Sequence, residues 1–256
     1  MGLKEMTRSK ELKVGNFIVE FATPGIGHIL KAAGLDFAFF DMEHSGFSFE
    51  TLKSAVRYFE AAGVPVIVRV PALENDMLAR ACDMGAEGLL APMISTAAQA
   101  QAMVDSVKYF PDGKRGVGLQ MAHDNYRAAP VAEALAAANA RTTVICLIET
   151  AEGAENVDAI AAVKGVDALW VGHFDLSVSL GIPGEFSHPK FAAAMDRIMA
   201  AAKKHGKSLG RLVPGTDQGI AFYKQGFDFI CYSGDIWVLR DGLAAAAKTI
   251  RDGVQS

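Results

Sequence analysis

The 256-residue chain is sparing in most of the features that assign a protein to a class at sight. It has three cysteines, Cys82, Cys146 and Cys231, odd in number, far apart and with no C-x-x-C pair, which argues against a disulfide framework. They read as buried, reduced thiols of a cytoplasmic protein. No stretch of 18 residues is uniformly apolar, and the opening MGLKEMTRSKELK carries mixed charge with no apolar segment, so neither a membrane span nor a signal peptide is expected. Basic residues are not in excess: 25 Lys and Arg stand against 29 Asp and Glu, a net charge of −4, which leaves no electrostatic footprint for nucleic acid. Internal repeats and low-complexity tails are absent as well.

What the chain has is apolar content, 51% of its residues, enough to bury a large core and to exclude disorder. Short apolar runs rich in β-branched and aromatic residues recur eight times: NFIVEF (16–21), DFAFFD (36–41), VPVIVRV (64–70), EGLLAPM (87–93), TVICLIE (143–149), DALWVG (167–172), SLGRLV (208–213) and FDFICY (227–232). Most are apolar at consecutive positions, as parallel strands covered on both faces require. Ala-rich segments of helical spacing lie between them and end at glycine, as in KKHG before the seventh run. Eight alternating units in a chain of this length predict an α/β protein with one (β/α)8 TIM-like barrel as its single domain, residues 1–256; a doubly wound open sheet is the alternative.

One interval is too long for a single helix. A helix at about 96–108 is followed by FPDGKRGVGLQMAHDNYRAAP, rich in Gly, Pro and polar groups, before the fifth run begins. This insertion is expected to overhang the carboxyl-terminal face of the barrel, where the active sites of such barrels form.

Polar residues collect at the carboxyl ends of the runs: Asp41, Glu43 and His44 after the second, Arg69 in the third, Glu149 ending the fifth, His173 and Asp175 after the sixth, Asp235 after the eighth. Glu149 and Asp175, on neighbouring strands with no His-x-His or Cys pair beside them, suit a hard divalent ion such as Mg, Mn or Co; each could equally cap the helix that follows it. Arg69, between Val68 and Val70, needs an anionic partner, either a carboxylate such as Asp41 or Glu43 or one on a substrate. His44 is placed to move a proton, or is simply a hydrogen-bonded loop residue. The claims of His28, His123, His188 and His205 are weaker. All fourteen lysines fall outside the eight runs, so no desolvated lysine is expected for Schiff-base chemistry.

With those residues in view, the sequence resembles the HpcH/HpaI family of class II, metal-dependent 2-keto-acid aldolases. Six stretches match in order: GLDFAFFDMEHSGF, PVIVRVP, DMGAEGLLAPM, YFPDGKRGVG, VICLIET and VDALWVGHFDLSVSLGIPG. The resemblance implies that Glu149 and Asp175 hold the divalent ion, that Arg69 stabilises an enolate oxygen, and that His44, oriented by Asp83, is the acid/base. Asp41 and Glu43 become supporting carboxylates. Phe174, through its backbone N–H, joins Asp175 and Leu212 in binding substrate. It further implies reversible cleavage of a 4-hydroxy-2-keto acid into a 2-keto acid and an aldehyde, and a homo-oligomer, trimer or hexamer, with the last helix exchanged between chains.

Two positions depart from the family's pattern. Leu147 stands where many relatives have Gln, and Gly172-His173-Phe174-Asp175 where Gly-Pro-Ala-Asp is usual. These changes open hydroxypyruvate beside pyruvate as a donor. Two other functions share the same residues: a citrate-lyase-like carbon–carbon lyase acting on a CoA thioester or dicarboxylate, and a keto-acid-binding barrel without turnover.

Overall fold

The computed structural model describes residues 1–255. Eight parallel strands close into a barrel in sequence order: β1 (Lys13–Ile18), β2 (Phe37–Asp41), β3 (Val66–Arg69), β4 (Gly88–Ala91), β5 (Thr143–Ile148), β6 (Ala168–Val171), β7 (Ser208–Val213) and β8 (Phe229–Gly234). The helices, in chain order, are α1 (Leu3–Met6), α2 (Ile26–Ala32), α3 (Phe49–Ala62), α4 (Asn75–Asp83), α5 (Ala97–Val107), α6 (Val131–Arg141), α7 (Ala151–Glu155), α8 (Val157–Ala162), α9 (His173–Ser179), α10 (Pro189–Lys204), α11 (Thr216–Lys224) and α12 (Asp235–Gln255). The (β/α)8 expectation holds, and no helix among the described residues is long and apolar enough to cross a membrane.

Each strand is buried on both faces because its side chains alternate between two cores. Val66, Val68, Leu89, Val144 and Cys146 point outward into a layer shared with the helices. Phe17, Phe37, Phe39, Leu147, Trp170 and Phe229 point inward and fill the barrel. Trp170 fits there because its partner in the β6–β7 register is Gly210, where a Cβ would fall 2.0 Å from the indole. Cys82, Cys146 and Cys231 are free and buried, and burial pushes the Cys82 and Cys146 thiols up to about 11 and 12.

Two expectations need correction. The first apolar run spans 16–21, but β1 begins at Lys13 and ends at Ile18. Beyond that point the N–H groups of Val19, Glu20 and Phe21 turn to the Asp235 carboxylate, at 2.8–3.3 Å, rather than to a neighbouring strand. Lys13 therefore lies in a strand, where its Nζ meets Asp228 at 3.1 Å at the amino-terminal end of the barrel. No lysine lines the opposite mouth, among the described residues.

The insertion does not overhang the carboxyl-terminal face. It follows α5, which has already carried the chain back to the amino-terminal side, and it packs on the ends of outer helices there. Arg57 of α3 donates to the Ala122 carbonyl and to Asn125, at 3.1 and 2.8 Å, and Arg115 pairs with Asp83, the last residue of α4, at 2.5 Å. His123 is buried within this segment, 3.5 Å from the Tyr109 hydroxyl.

Candidate active site

The mouth of the barrel opens into a cavity of about 440 Å³ whose walls include Arg69, Glu149, Phe174 and Asp175. Asp41, the fully buried last residue of β2, organises one side. Its carboxylate accepts from Arg69 Nε at 2.7 Å and from the backbone N–H groups of Glu43 and His44 at 3.1 Å. The β2–β3 register, which sets Asp41 directly beside Arg69, makes this possible. Arg69 thus has protein carboxylates as partners. Its Nη1 also lies 3.0 Å from Glu43 Oε2, but out of hydrogen-bond alignment, so this buried oxygen keeps no hydrogen bond. Burial alone would lower the Arg69 pKa; the Asp41 bond and the nearby acids outweigh it and raise the value. Among the described residues, Nε is the one guanidinium nitrogen of Arg69 that donates a hydrogen bond.

Glu149 follows β5 and is 3% exposed. One oxygen accepts the Met93 N–H at 2.8 Å, presented by a left-handed backbone at Met93. Burial pushes its pKa up to about 7, opposed by the Met93 bond and reinforced by the charges of Asp175 and Glu43. The other oxygen faces Gly172, where a Cβ would come within 2.3 Å of Oε2. The absent side chain keeps that oxygen clear. Asp175 sits in the first turn of α9, and among the described residues no hydrogen bond reaches its carboxylate. Neither acid is a helix cap: Thr150 caps α7 by accepting from Gly153 N–H, and Gly172 is the cap residue of α9.

Two carboxylates with uncommitted oxygens, one of them buried with its pKa raised mainly by that burial, and with Gly172 leaving space beside it, form a donor set that a hard divalent cation fits. Four acids, Asp41, Glu43, Glu149 and Asp175, share one arginine. No three-ligand His, Cys, Asp or Glu cluster occurs among the described residues, so any ion here would complete its shell from water or substrate.

The remaining expected residues divide. Phe174 and Leu212 line the cavity, as does Leu147. His44 is at the rim, largely exposed, with its Nε2 3.8 Å from Glu43 Oε2. Asp83 is not with it: as the C-terminal residue of a helix running antiparallel to the strands, it lies on the amino-terminal side, paired to Arg115. A His44–Asp83 pair is therefore not made within one chain. The structure adds residues the sequence reading left without a role. Asp235 holds the β1 exit loop, Trp170 and Trp237 supply aromatic walls, and His173 is buried at the rim, its pKa pushed down to about 4 by burial and by the Arg211 charge. Alternation along β6 was the signal for Trp170, since odd and even positions face different cores.

The profile of the HpcH/HpaI aldolase/citrate lyase family matches residues 17–241. The chain belongs to that family. A 5-keto-4-deoxy-D-glucarate aldolase of Klebsiella pneumoniae is 34% identical over 230 residues, 90% of this chain and 89% of the relative. An HpcH/HpaI aldolase from Desulfitobacterium hafniense superposes with a TM-score of 0.91 at 32% identity, covering 98% of this chain and 97% of that one. The citrate synthase SbnG superposes at 0.89 with 28% identity, over 99% of each chain. Family and aldolase relatives together place this HpcH/HpaI member among the carbon–carbon lyases.

Proposed function

We propose that this HpcH/HpaI family member is a divalent-metal-dependent aldolase that reversibly cleaves a 4-hydroxy-2-keto acid into pyruvate, or hydroxypyruvate, and an aldehyde. The observation that carries the reading is the pairing of under-compensated acids, Glu149 and Asp175, with Arg69, across one cavity. Glu149 and Asp175 would hold the ion, with Mg, Mn and Co as suitable metals. When bound, it supplies Lewis-acid polarisation of the 2-keto group.

The rest falls to the chain's own residues. Arg69, locked by Asp41 through Nε, offers the rest of its guanidinium to the oxygen on which enolate charge develops, and a preorganised cation stabilises that charge more than it stabilises the neutral ketone. In the cleavage direction the C4 hydroxyl proton leaves as the C3–C4 bond breaks, the aldehyde departs, and C3 takes a proton to give pyruvate. His44, at the solvent edge beside Glu43, is positioned to hold or deliver protons. The backbone N–H of Phe174, a residue that lines the cavity, can receive the donor's carboxylate. A CoA-dependent lyase needs basic residues at the mouth, where Arg69 is the one arginine or lysine among the described residues.

The chain is further proposed to assemble as a trimer or hexamer. Helix α12 runs on from β8 with Val238, Leu239, Leu243 and Ile250 exposed, while an apolar groove of about 400 Å³ beside β8 and β1, lined by Leu12, Val14, Ile220 and Tyr232, is left open. An exchanged α12 would bury both surfaces. The three buried free thiols suit a reducing cytoplasm.

The test is deuterium exchange at C3 of pyruvate, followed by NMR with Mn²⁺ and again with EDTA. Metal-dependent exchange is expected. Absence of exchange with both pyruvate and hydroxypyruvate overturns the aldolase.

A further inference from the structure

We infer that the aldehyde partner of this reaction is uncharged and apolar, aromatic or branched in its side group, and that Phe174 is the residue that selects it. The inference rests on the aldolase reading above and specifies its second substrate.

The cavity is lined mostly by apolar side chains. Apart from Arg69, Glu149, Asp175 and the two rim histidines, His44 and His173, its walls are aromatic and aliphatic, with Leu147, Trp170, Leu212 and Trp237 among them. Phe17 and Trp237 stack nearly parallel, 4° apart with centroids at 6.0 Å, and Phe39 lies 5.0 Å from Trp170. At the mouth, Phe174 is 62% exposed although it is a large apolar ring. It is not loose: its ring lies 4.4 Å from His173 and 5.6 Å from Phe186, which in turn packs on Phe191 at 5.5 Å. A ring buttressed from behind, with its other face toward a cavity, is a preformed contact surface for an apolar group.

Charge points the same way. The 5-keto-4-deoxy-D-glucarate of the relatives' name is a diacid, so the aldehyde it releases carries a second carboxylate. Here that carboxylate would lie among aromatic and aliphatic side chains, beside Glu149 and Asp175, with the cavity's one arginine already bound to Asp41 and beside Glu43. With the metal ion committed to the donor keto acid, a buried carboxylate with no cation of its own is strongly disfavoured. An apolar aldehyde meets no such penalty. In the addition direction its carbonyl carbon bonds to C3 of the enolate, its oxygen takes a proton to become the C4 hydroxyl, and its side group packs on Phe174.

The test compares kcat/KM for pyruvate addition, with Mn²⁺, to phenylacetaldehyde and to succinic semialdehyde. A preference of at least about tenfold for phenylacetaldehyde is expected, and Phe174→Ala should reduce that ratio by about tenfold. Phe186→Ala, which removes the buttress, should reduce it less. A wild-type ratio of one or below, or a ratio unmoved in Phe174→Ala, overturns the inference. Occupancy has its own readout, because the chain's two tryptophans, Trp170 and Trp237, both line this cavity. Metal-free titration with 2-phenylethanol should change their fluorescence saturably, and several-fold more weakly in Phe174→Ala; no saturable change also overturns it. Pyruvate C3 exchange needs no aldehyde, so its failure strikes the aldolase reading, whereas intact exchange with a charged-acceptor preference strikes this inference alone.

Discussion

The two ends of the barrel hold similar charges and treat them in opposite ways. At the amino-terminal end, Asp228 accepts from Lys13 at 3.1 Å, Ser208 at 2.6 Å and the Leu209 N–H at 2.8 Å, while Asp167 accepts from Lys4 at 2.5 Å and the Val144 N–H at 2.9 Å. At the carboxyl-terminal end Asp41 and Asp235 are held as firmly, but among the described residues Glu149 has one N–H, Asp175 has no hydrogen bond, and a buried oxygen of Glu43 has none. The closed end spends its charges on holding strands in register. The open end leaves acids short of positive charge, the condition that invites a cation and a substrate.

The sharpest break in this symmetry is chemical. Glu149→Ala should lower pyruvate exchange by about a thousandfold or more, since it removes the buried carboxylate of the metal pair, yet leave the protein folded by circular dichroism. His44→Asn and Asp83→Asn should each slow exchange by about a hundredfold if the pair implied by the family is completed between chains. Since one chain cannot form it, co-refolded mixtures of the two variants should recover part of the activity; failure to recover removes Asp83 from the chemistry.

At the closed end the expected effect is on stability alone. Asp228→Ala strands the buried Lys13 ammonium and should cost about 3–5 kcal/mol in denaturant unfolding, with exchange per folded molecule unchanged. The smallest effect is a pH dependence. The Glu149 pKa stands at about 7 in the folded chain against 4.5 ordinarily, so between those values the folded state holds a proton that the unfolded state has released. Stability of the metal-free protein from this group is present at low pH and lost as pH rises through about 7. Thermal melting in EDTA should show wild type losing ground to Glu149→Gln across that window; parallel curves would mean that Glu149 is not strained.

The barrel was legible in the sequence because eight runs of consecutive apolar residues, separated by segments of helical spacing, have few other uses. The mouth residues were legible too, since Asp41, Arg69 and Glu149 sit at strand ends where burial makes charge conspicuous. Other features depend on direction, which spacing does not convey. Asp83 lies close to the site residues in sequence, but α4 carries it to the far end of the barrel. The 110–130 segment looks like an active-face loop until α5, ahead of it, is seen to reverse the chain. The start of β1 at Lys13 was hidden because a lysine breaks an apolar run, and only the buried Asp228 opposite explains its tolerance.

The central claim, that the carboxyl-terminal mouth is built around a missing positive charge, is tested most directly by calorimetric titration of the metal-free protein with Mn²⁺ at pH 7. One ion per chain is expected, bound with release of protons from Glu149 and lost in Glu149→Gln. Saturable binding that survives Glu149→Gln unchanged, or no binding in the wild type, would contradict it.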